Sequence, residues 1–221
     1  MGRWAPKEAM QERILETADR LFYRRGIRAV GVDTVAAEVG ISKRTLYNHY
    51  ASKEALVLAY LRRRLLPPIA ERGTPSKLIA AAFDRLGRSM TRAGFRGCAF
   101  INAVAELGEL GENAAEARKV AVLFKEQRRV WFRNLAAQAG AADPDTLASQ
   151  LLLLWEGAIV WALVRRNEFG AQSARKAALV LLAAACPATR LRNARKMDKV
   201  AATYPEPPPR RGGRRSNGAH R

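Results

Sequence analysis

The segment from Val32 to Leu56 places the tightest constraint on the fold of this chain. Its sequence is VDTVAAEVGISKRTLYNHYASKEAL, in which two short helical patterns flank Gly40 and Ser42. Gly40 permits a tight turn, and Ser42 can cap the second helix. The spacing therefore predicts a helix-turn-helix. The residues expected to pack its two helices together are Val35, Ala36, Val39 and Leu46.

The rest of the chain also has helical patterns. Apolar residues recur at helical spacing from Pro6 to Arg25, and Ser52 can cap a helix that starts with KEALVLAYL. No stretch has the alternation of a strand, so the predicted fold class is all-α. Glycine and proline residues separate five further predicted helices, near residues 76–92, 98–108, 113–139, 145–167 and 171–186.

These patterns divide the chain into three parts. The head, residues 1–52, holds the helix-turn-helix and the helix before it. The body, residues 53–186, holds the later helices. The tail, residues 187–221, has ten Lys and Arg against two Asp and Glu and is rich in proline and glycine. Such a composition buries too little apolar surface to offset chain entropy, so we expect the tail to be disordered.

The net charge points to a polyanionic partner. A formal charge of +19 favours DNA, RNA or an anionic membrane surface. The longest apolar stretch, Leu151 to Val164, is interrupted by Glu156 and is too short to span a bilayer, which favours a buried helix and no membrane. Two cysteines, Cys98 and Cys186, form no disulfide framework, in keeping with the cytoplasm.

The strings TLYNHY and SKEAL, at their spacing after VAAEVGIS, resemble the signature of the tetracycline-repressor (TetR) family of transcription regulators. In detail the resemblance covers residues 10–60. It implies an all-helical fold in which the first three helices bind DNA and the last two form a dimer interface. It also implies a cavity for a small molecule in the body.

The resemblance further implies a set of DNA contacts. Lys43, Arg44 and Thr45 open the recognition helix and are expected to contact base edges. Arg44 stands where many members carry glycine, so a guanine contact and a phosphate contact both remain open for it. The remaining candidates are Thr34, Tyr47, Asn48, His49 and Lys53. All of these except Asn48 are expected to contact phosphates.

In the body, polar groups embedded among apolar residues need a partner or a ligand. The candidate ligand-binding residues are Phe100, Asn102, Glu106, Phe124, Trp131, Trp155 and Glu156. Core packing is the alternative for the aromatic residues. Glu156 has the alternative of pairing with an arginine such as Arg128 or Arg133. Cys98 is either a thiol sensor or a small buried hydrophobic residue.

Two apolar stripes predict a dimer interface, with packing inside one protomer as the alternative. The first stripe, within residues 145–166, consists of Leu147, Leu151, Leu154, Ala158, Trp161 and Arg165. The second, within residues 171–186, consists of Ala174, Ala177, Ala178, Leu181, Leu182 and Ala185.

Together these features predict a homodimeric repressor that binds a palindromic operator on double-stranded DNA and responds to a small-molecule effector. Activation in place of repression is one alternative. A charge-driven module that binds nucleic acid or a membrane surface without ligand control is another. An enzyme is disfavoured, because the two histidines, His49 and His220, lie in the recognition helix and the tail. We predict no metal site and no cofactor.

Overall fold

The computed structural model describes residues 6–65, 72–108 and 112–186, so the tail and its predicted disorder lie outside the described residues. The described residues form helices and no strand, which confirms the all-α prediction. Each of the five helices predicted from residue 76 onward is present, and its ends lie within two residues of those expected. The helices are α1 (Pro6–Arg25), α2 (Val32–Val39), α3 (Lys43–His49), α4 (Lys53–Arg63), α5 (Pro75–Met90), α6 (Ala99–Leu107), α7 (Glu112–Gln138), α8 (Pro144–Arg165) and α9 (Phe169–Ala185).

The helix-turn-helix forms at the predicted residues. Helix α2 ends at Gly40, whose φ of 79° lies in the left-handed region that glycine adopts without strain. Ser42 then caps α3, because its hydroxyl accepts the Thr45 backbone N–H at 3.0 Å. The four residues predicted to pack the two helices are all buried.

The buried apolar side chains form two clusters. The first joins α1 to α4 with residues of α6 and the N-terminal half of α7, among them Phe100, Ala103 and Val120. The second joins α5, the C-terminal half of α7, α8 and α9. The first cluster therefore continues across residue 52, where the sequence analysis divides head from body. Cys98 packs against both clusters and marks where they meet.

Both ends of α6 are hydrogen-bonded to the head. Before α6, the Tyr23 hydroxyl donates to the Gly97 carbonyl at 3.0 Å and accepts the Arg96 backbone N–H at 3.0 Å. Near its other end, the Glu106 carboxylate accepts the Arg28 backbone N–H at 3.0 Å. Any displacement of α6 must therefore break these bonds or move the head.

Helix α8 has two apolar faces in different environments. Leu147, Leu151 and Ala158 are buried in the second cluster, whereas Leu153 and Val164 are each 72% exposed. The prediction of a buried helix is therefore right for one face only. By length and composition α8 is also long and apolar enough to cross a membrane.

The predicted dimer stripes need a correction for the residues buried within the protomer. For these, the alternative of intramolecular packing is the right one, because their side chains fill the second cluster. They are Leu147, Leu151 and Ala158 on α8 and Ala174, Ala178 and Leu182 on α9.

Candidate DNA interface and internal cavity

Helix α3 divides its side chains between the core and solvent. Leu46 is fully buried beneath the helix, in the first cluster. On the outer side, Lys43, Arg44, Tyr47 and Asn48 are exposed. The helix is thus anchored by one apolar residue and presents cations, an amide and a phenol on a single short surface. Such groups can hydrogen-bond both phosphates and base edges.

The other candidate DNA contacts are less exposed. Thr34, Thr45, His49 and Lys53 are all partly buried around α3. The Thr45 hydroxyl lies 2.8 Å from the Ser42 hydroxyl, so it takes part in the cap of α3. The Nδ1 atom of His49 is buried and has no hydrogen-bond partner among the described residues. The structure thus brings all eight candidates to α3 and its flanks, with four of them fully on the surface.

The two cations of α3 differ in their partners. Lys43 Nζ lies 3.0 Å from the Asp33 carboxylate, which raises the pKa of Lys43 through a hydrogen bond and the opposite charge. Both side chains are largely exposed, so this ion pair is weak and can exchange for a phosphate. Arg44 forms no ion pair within the described part of the chain and keeps its guanidinium available.

A cavity of about 460 Å³ lies where the two apolar clusters meet. Three of the seven predicted ligand-binding residues line it, namely Phe100, Phe124 and Trp155. The rings of Phe100 and Phe124 stack with their centroids 4.0 Å apart. Tyr23 and Arg64 line the side of the cavity toward the DNA-binding helices, so one wall belongs to each cluster.

The other four predicted ligand-binding residues have partners outside the cavity. Trp131 packs against the ring of Phe132. The Asn102 side-chain amide donates to the Arg96 carbonyl at 2.7 Å, and Glu106 binds the head through Arg28. Glu156 pairs with Lys125 at 2.6 Å and with neither arginine that the sequence suggested.

Two cavity residues have features that the sequence did not single out. Arg128, considered there only as a partner of Glu156, lines the cavity and is 8% exposed. Its guanidinium lies over the Trp155 ring at 4.4 Å. Cys98 also lines the cavity, half-buried, with Lys125 Nζ 3.5 Å from its sulfur. Whether Cys98 senses oxidants or only packs stays a prediction.

A second surface feature covers α8 and α9. Their outward faces place exposed apolar side chains side by side, and a groove of about 620 Å³ runs between the two helices. Six members of the predicted stripes line this groove, of which Ala158 and Ala174 form its floor as residues of the second cluster. The six are Leu154, Ala158, Trp161, Ala174, Ala177 and Leu181. The exposed apolar residues of this α8–α9 face are Leu153, Val160, Trp161, Val164, Phe169 and Val180.

Comparison with known proteins gives the same picture. Residues 14–60 match the family model described as bacterial regulatory proteins, tetR family. The transcriptional activator FasR of Mycolicibacterium smegmatis is 38% identical over 64 residues, which are 29% of each chain. The transcriptional regulator EthR of the same species is 32% identical over 170 residues, covering 68% of this chain and 73% of EthR.

The fold is shared as well. A TetR-family transcriptional regulator from Streptomyces coelicolor superposes with a TM-score of 0.71 at 26% identity, covering 80% of this chain and 96% of that protein. The match to FasR spans less than a third of that relative, but the matches to EthR and to the solved structure extend through most of the body. With its helix-turn-helix, its exposed α3 and relatives that match along the body, this chain belongs to the TetR family of DNA-binding transcription regulators.

Proposed function

We propose that this protein is a cytoplasmic, ligand-responsive repressor that binds a palindromic operator as a homodimer. The observation that carries the proposal is the exposed polar side of α3. It lies opposite the buried Leu46, and its side chains stay outside the core. Helix α3 is fixed by the turn at Gly40 and the cap at Ser42. Its exposed side chains take no part in the core and can therefore bind a partner. Their chemistry suits the major groove of DNA.

The assignment of DNA contacts follows from exposure. Arg44, exposed and unpaired within the described residues, reads a base edge, and Asn48 lies on the same exposed side. Lys43 and Tyr47 extend this surface, and Lys43 exchanges Asp33 for DNA. The partly buried candidates at its margin hold the phosphate backbone. They are Thr34, His49 and Lys53, whereas Thr45, expected on a base edge, has its hydroxyl in the cap of α3.

The α8–α9 face supports the homodimer. Contiguous exposed apolar surface is uncommon on monomeric soluble proteins and marks interaction sites. A second copy of the same face is the occupant that we propose, because two helices from each protomer then pack as a four-helix bundle. The buried opposite face of α8 ties that helix to its own protomer, which favours this partner over a bilayer.

The cavity supports ligand control over the charge-driven alternative. It lies between the two clusters and against α6, whose two ends are hydrogen-bonded to the head. A molecule that fits only one arrangement of α6 shifts the population toward the head position of that arrangement. In the DNA-binding state, the two heads of the dimer are spaced for successive major grooves. In the ligand-bound state that spacing changes, and DNA is released.

Selection of bound duplexes from a randomised pool tests the proposal. We expect an inverted repeat whose half-sites lie about one helical turn, roughly 34 to 36 Å, apart. Purified protein should then lower transcription from a promoter that carries the selected site. Equal affinity for all duplexes with a steep salt dependence would instead favour the charge-driven module, and increased transcription would make the protein an activator.

A further inference from the structure

Arg128 is a buried cation that forms no ion pair among the residues that the structure describes. It is 8% exposed, and its Nε has no hydrogen-bond partner among the described residues. Its guanidinium lies over the ring of Trp155 at 4.4 Å, with the Trp131 ring farther away at 5.8 Å. A guanidinium binds the face of an aromatic ring more weakly than it binds a carboxylate, because the two carboxylate oxygens match its paired N–H groups.

Two carboxylates beside the cavity, Glu156 and Asp19, each form an ion pair with another cation. Glu156 pairs with Lys125 at 2.6 Å, and its charge acts on Arg128 only as the smallest of the influences on the pKa of that group. Arg64, which lines the same cavity, is held by Asp19 through two hydrogen bonds of 2.6 and 2.8 Å. Arg64 and Arg128 therefore differ in one respect that matters for binding. Arg64 forms an ion pair within the protein, whereas Arg128 forms none among the described residues and has an Nε without a hydrogen-bond partner there.

The environment of Arg128 favours an anion. Burial lowers the pKa of Arg128 to about 10, the nearby charge of Arg85 acts in the same direction, and the charge of Glu156 opposes both more weakly. The group is still protonated at neutral pH. A protonated guanidinium that is desolvated and faces a second cation attracts a negative charge strongly, because little water screens the interaction.

We infer that the effector is an organic carboxylate whose carboxylate group binds Arg128 inside the cavity, an inference that rests on the proposed ligand-responsive function. The apolar part of the molecule packs against Phe100, Phe124 and Trp155. A volume of about 460 Å³ lies within the range typical of small-molecule sites. A neutral molecule of the same shape leaves the cation unpaired and binds more weakly.

Matched pairs of probes test the charge. We choose 3-phenylpropionate, cinnamate, hexanoate and octanoate, each with its primary amide, and measure binding to the full-length protein by calorimetry and by the shift in melting temperature. The amide keeps the size and shape of the acid and removes its charge. We expect at least one acid to bind roughly 10- to 100-fold more tightly than its amide.

Two variants and a control locate the preference. Arg128→Met keeps the bulk of the side chain without the charge, and the preference for the acid should disappear. Arg128→Lys keeps the charge without the planar pair of donors, and it should retain only part of the preference for the acid. This second variant keeps the test informative if Arg128→Met fails to fold. Arg129→Gln removes the next arginine of α7, which pairs with Glu126 and Asp145 outside the cavity, and should leave the preference intact.

The inference is overturned if none of the four acids binds, if amides bind as tightly as acids, or if Arg128→Met keeps the preference for the acid. Failure of the proposed function would look different. In that case the protein binds an acid through Arg128, but the duplex selected by the unliganded protein is neither sequence-specific nor released when the acid is added.

Discussion

The head and the body treat polar and apolar side chains in opposite ways. Around α3, the head buries Leu46 and exposes Arg44 and Asn48, as expected for a soluble protein. The body does the reverse at two places. It buries the cation of Arg128, and it exposes Leu153 and other apolar residues along the α8–α9 face.

This difference shows where partners of different chemistry are expected. The groups of the head that suit a polyanion are already hydrogen-bonded to water. They therefore cost the head no stability before DNA binds. The body instead buries a cation that has no ion pair among the described residues, and it exposes an apolar surface. Each of these costs free energy until a partner covers it. In the body, a buried cation and an exposed apolar face therefore indicate the binding sites. In the head, the helix-turn-helix motif indicates the site.

The largest effect is expected at the α8–α9 face. Replacing both Leu153 and Val164 with aspartate places charges at the proposed interface, while the protomer keeps its core because both residues are 72% exposed. Monomers then bind one half-site at a time, and affinity for the selected operator should fall by about 100-fold or more. Sedimentation velocity and gel-shift titration measure the two effects.

The matched control is Val122→Asp with Leu123→Asp, which adds the same charges at exposed apolar positions of α7. The control should remain dimeric. If the α8–α9 variant also sediments as a dimer while its melting temperature is unchanged, this face is not the interface.

The next effect concerns the polar surface of the head. Arg44→Ala should cost about 1 to 3 kcal/mol on the selected operator and relax discrimination at one base position, because a guanidinium on a guanine edge is lost. Binding to a panel of operators with single base changes measures it. Lys119→Ala, a cation exposed on α7, is the control and should change nothing. Equal weakening on every sequence would place Arg44 on a phosphate.

A smaller effect separates the two arginines of the cavity. Without ligand, Arg128→Met should raise the free energy of unfolding by about 1 kcal/mol, because relief from desolvation outweighs the lost contact with Trp155. Arg64→Met should lower it by about 2 kcal/mol, since Asp19 loses its partner. Urea denaturation measures both. A loss of stability in Arg128→Met would mean that its cation is satisfied in the fold.

The smallest effect tests the exchange of Asp33 for DNA. Asp33→Asn releases Lys43 and removes a negative charge beside α3, so affinity for every duplex should rise by roughly two- to fivefold at low salt. Glu116→Gln, which breaks a comparable exposed pair with Lys119, is the control. Weaker binding by Asp33→Asn would mean that the ion pair orients Lys43 for its contact.

The parts of the structure predicted well from sequence are those with local signals. Ser42 and Gly40 fix the ends of α2 and α3 because a cap and a left-handed turn depend on a few neighbouring residues. The ends of the body helices follow for the same reason. Exposure of four of the eight DNA-contacting candidates also follows from the motif, although the contacts themselves stay predictions.

What the sequence could not supply depends on how distant helices pack. Glu156 pairs with Lys125 because of the register between α7 and α8, which no spacing along the chain reveals. Glu106 stands between apolar residues in the sequence, yet its carboxylate accepts the backbone N–H of Arg28, 78 residues away in the head. The dimer stripe was misassigned in part because α8 is apolar on both faces, so periodicity cannot tell its core face from its outer face.

The shared core has a consequence for how such regulators can be recombined. The first cluster is completed by Phe100, Ala103 and Val120, which lie far along the chain from the helix-turn-helix. A graft that joins this head to the body of another regulator at residue 52 must therefore also transfer matching residues on α6 and α7. Without them the first cluster of the hybrid stays incomplete, so α6 and the N-terminal half of α7 limit how freely the DNA specificity of this protein can be exchanged.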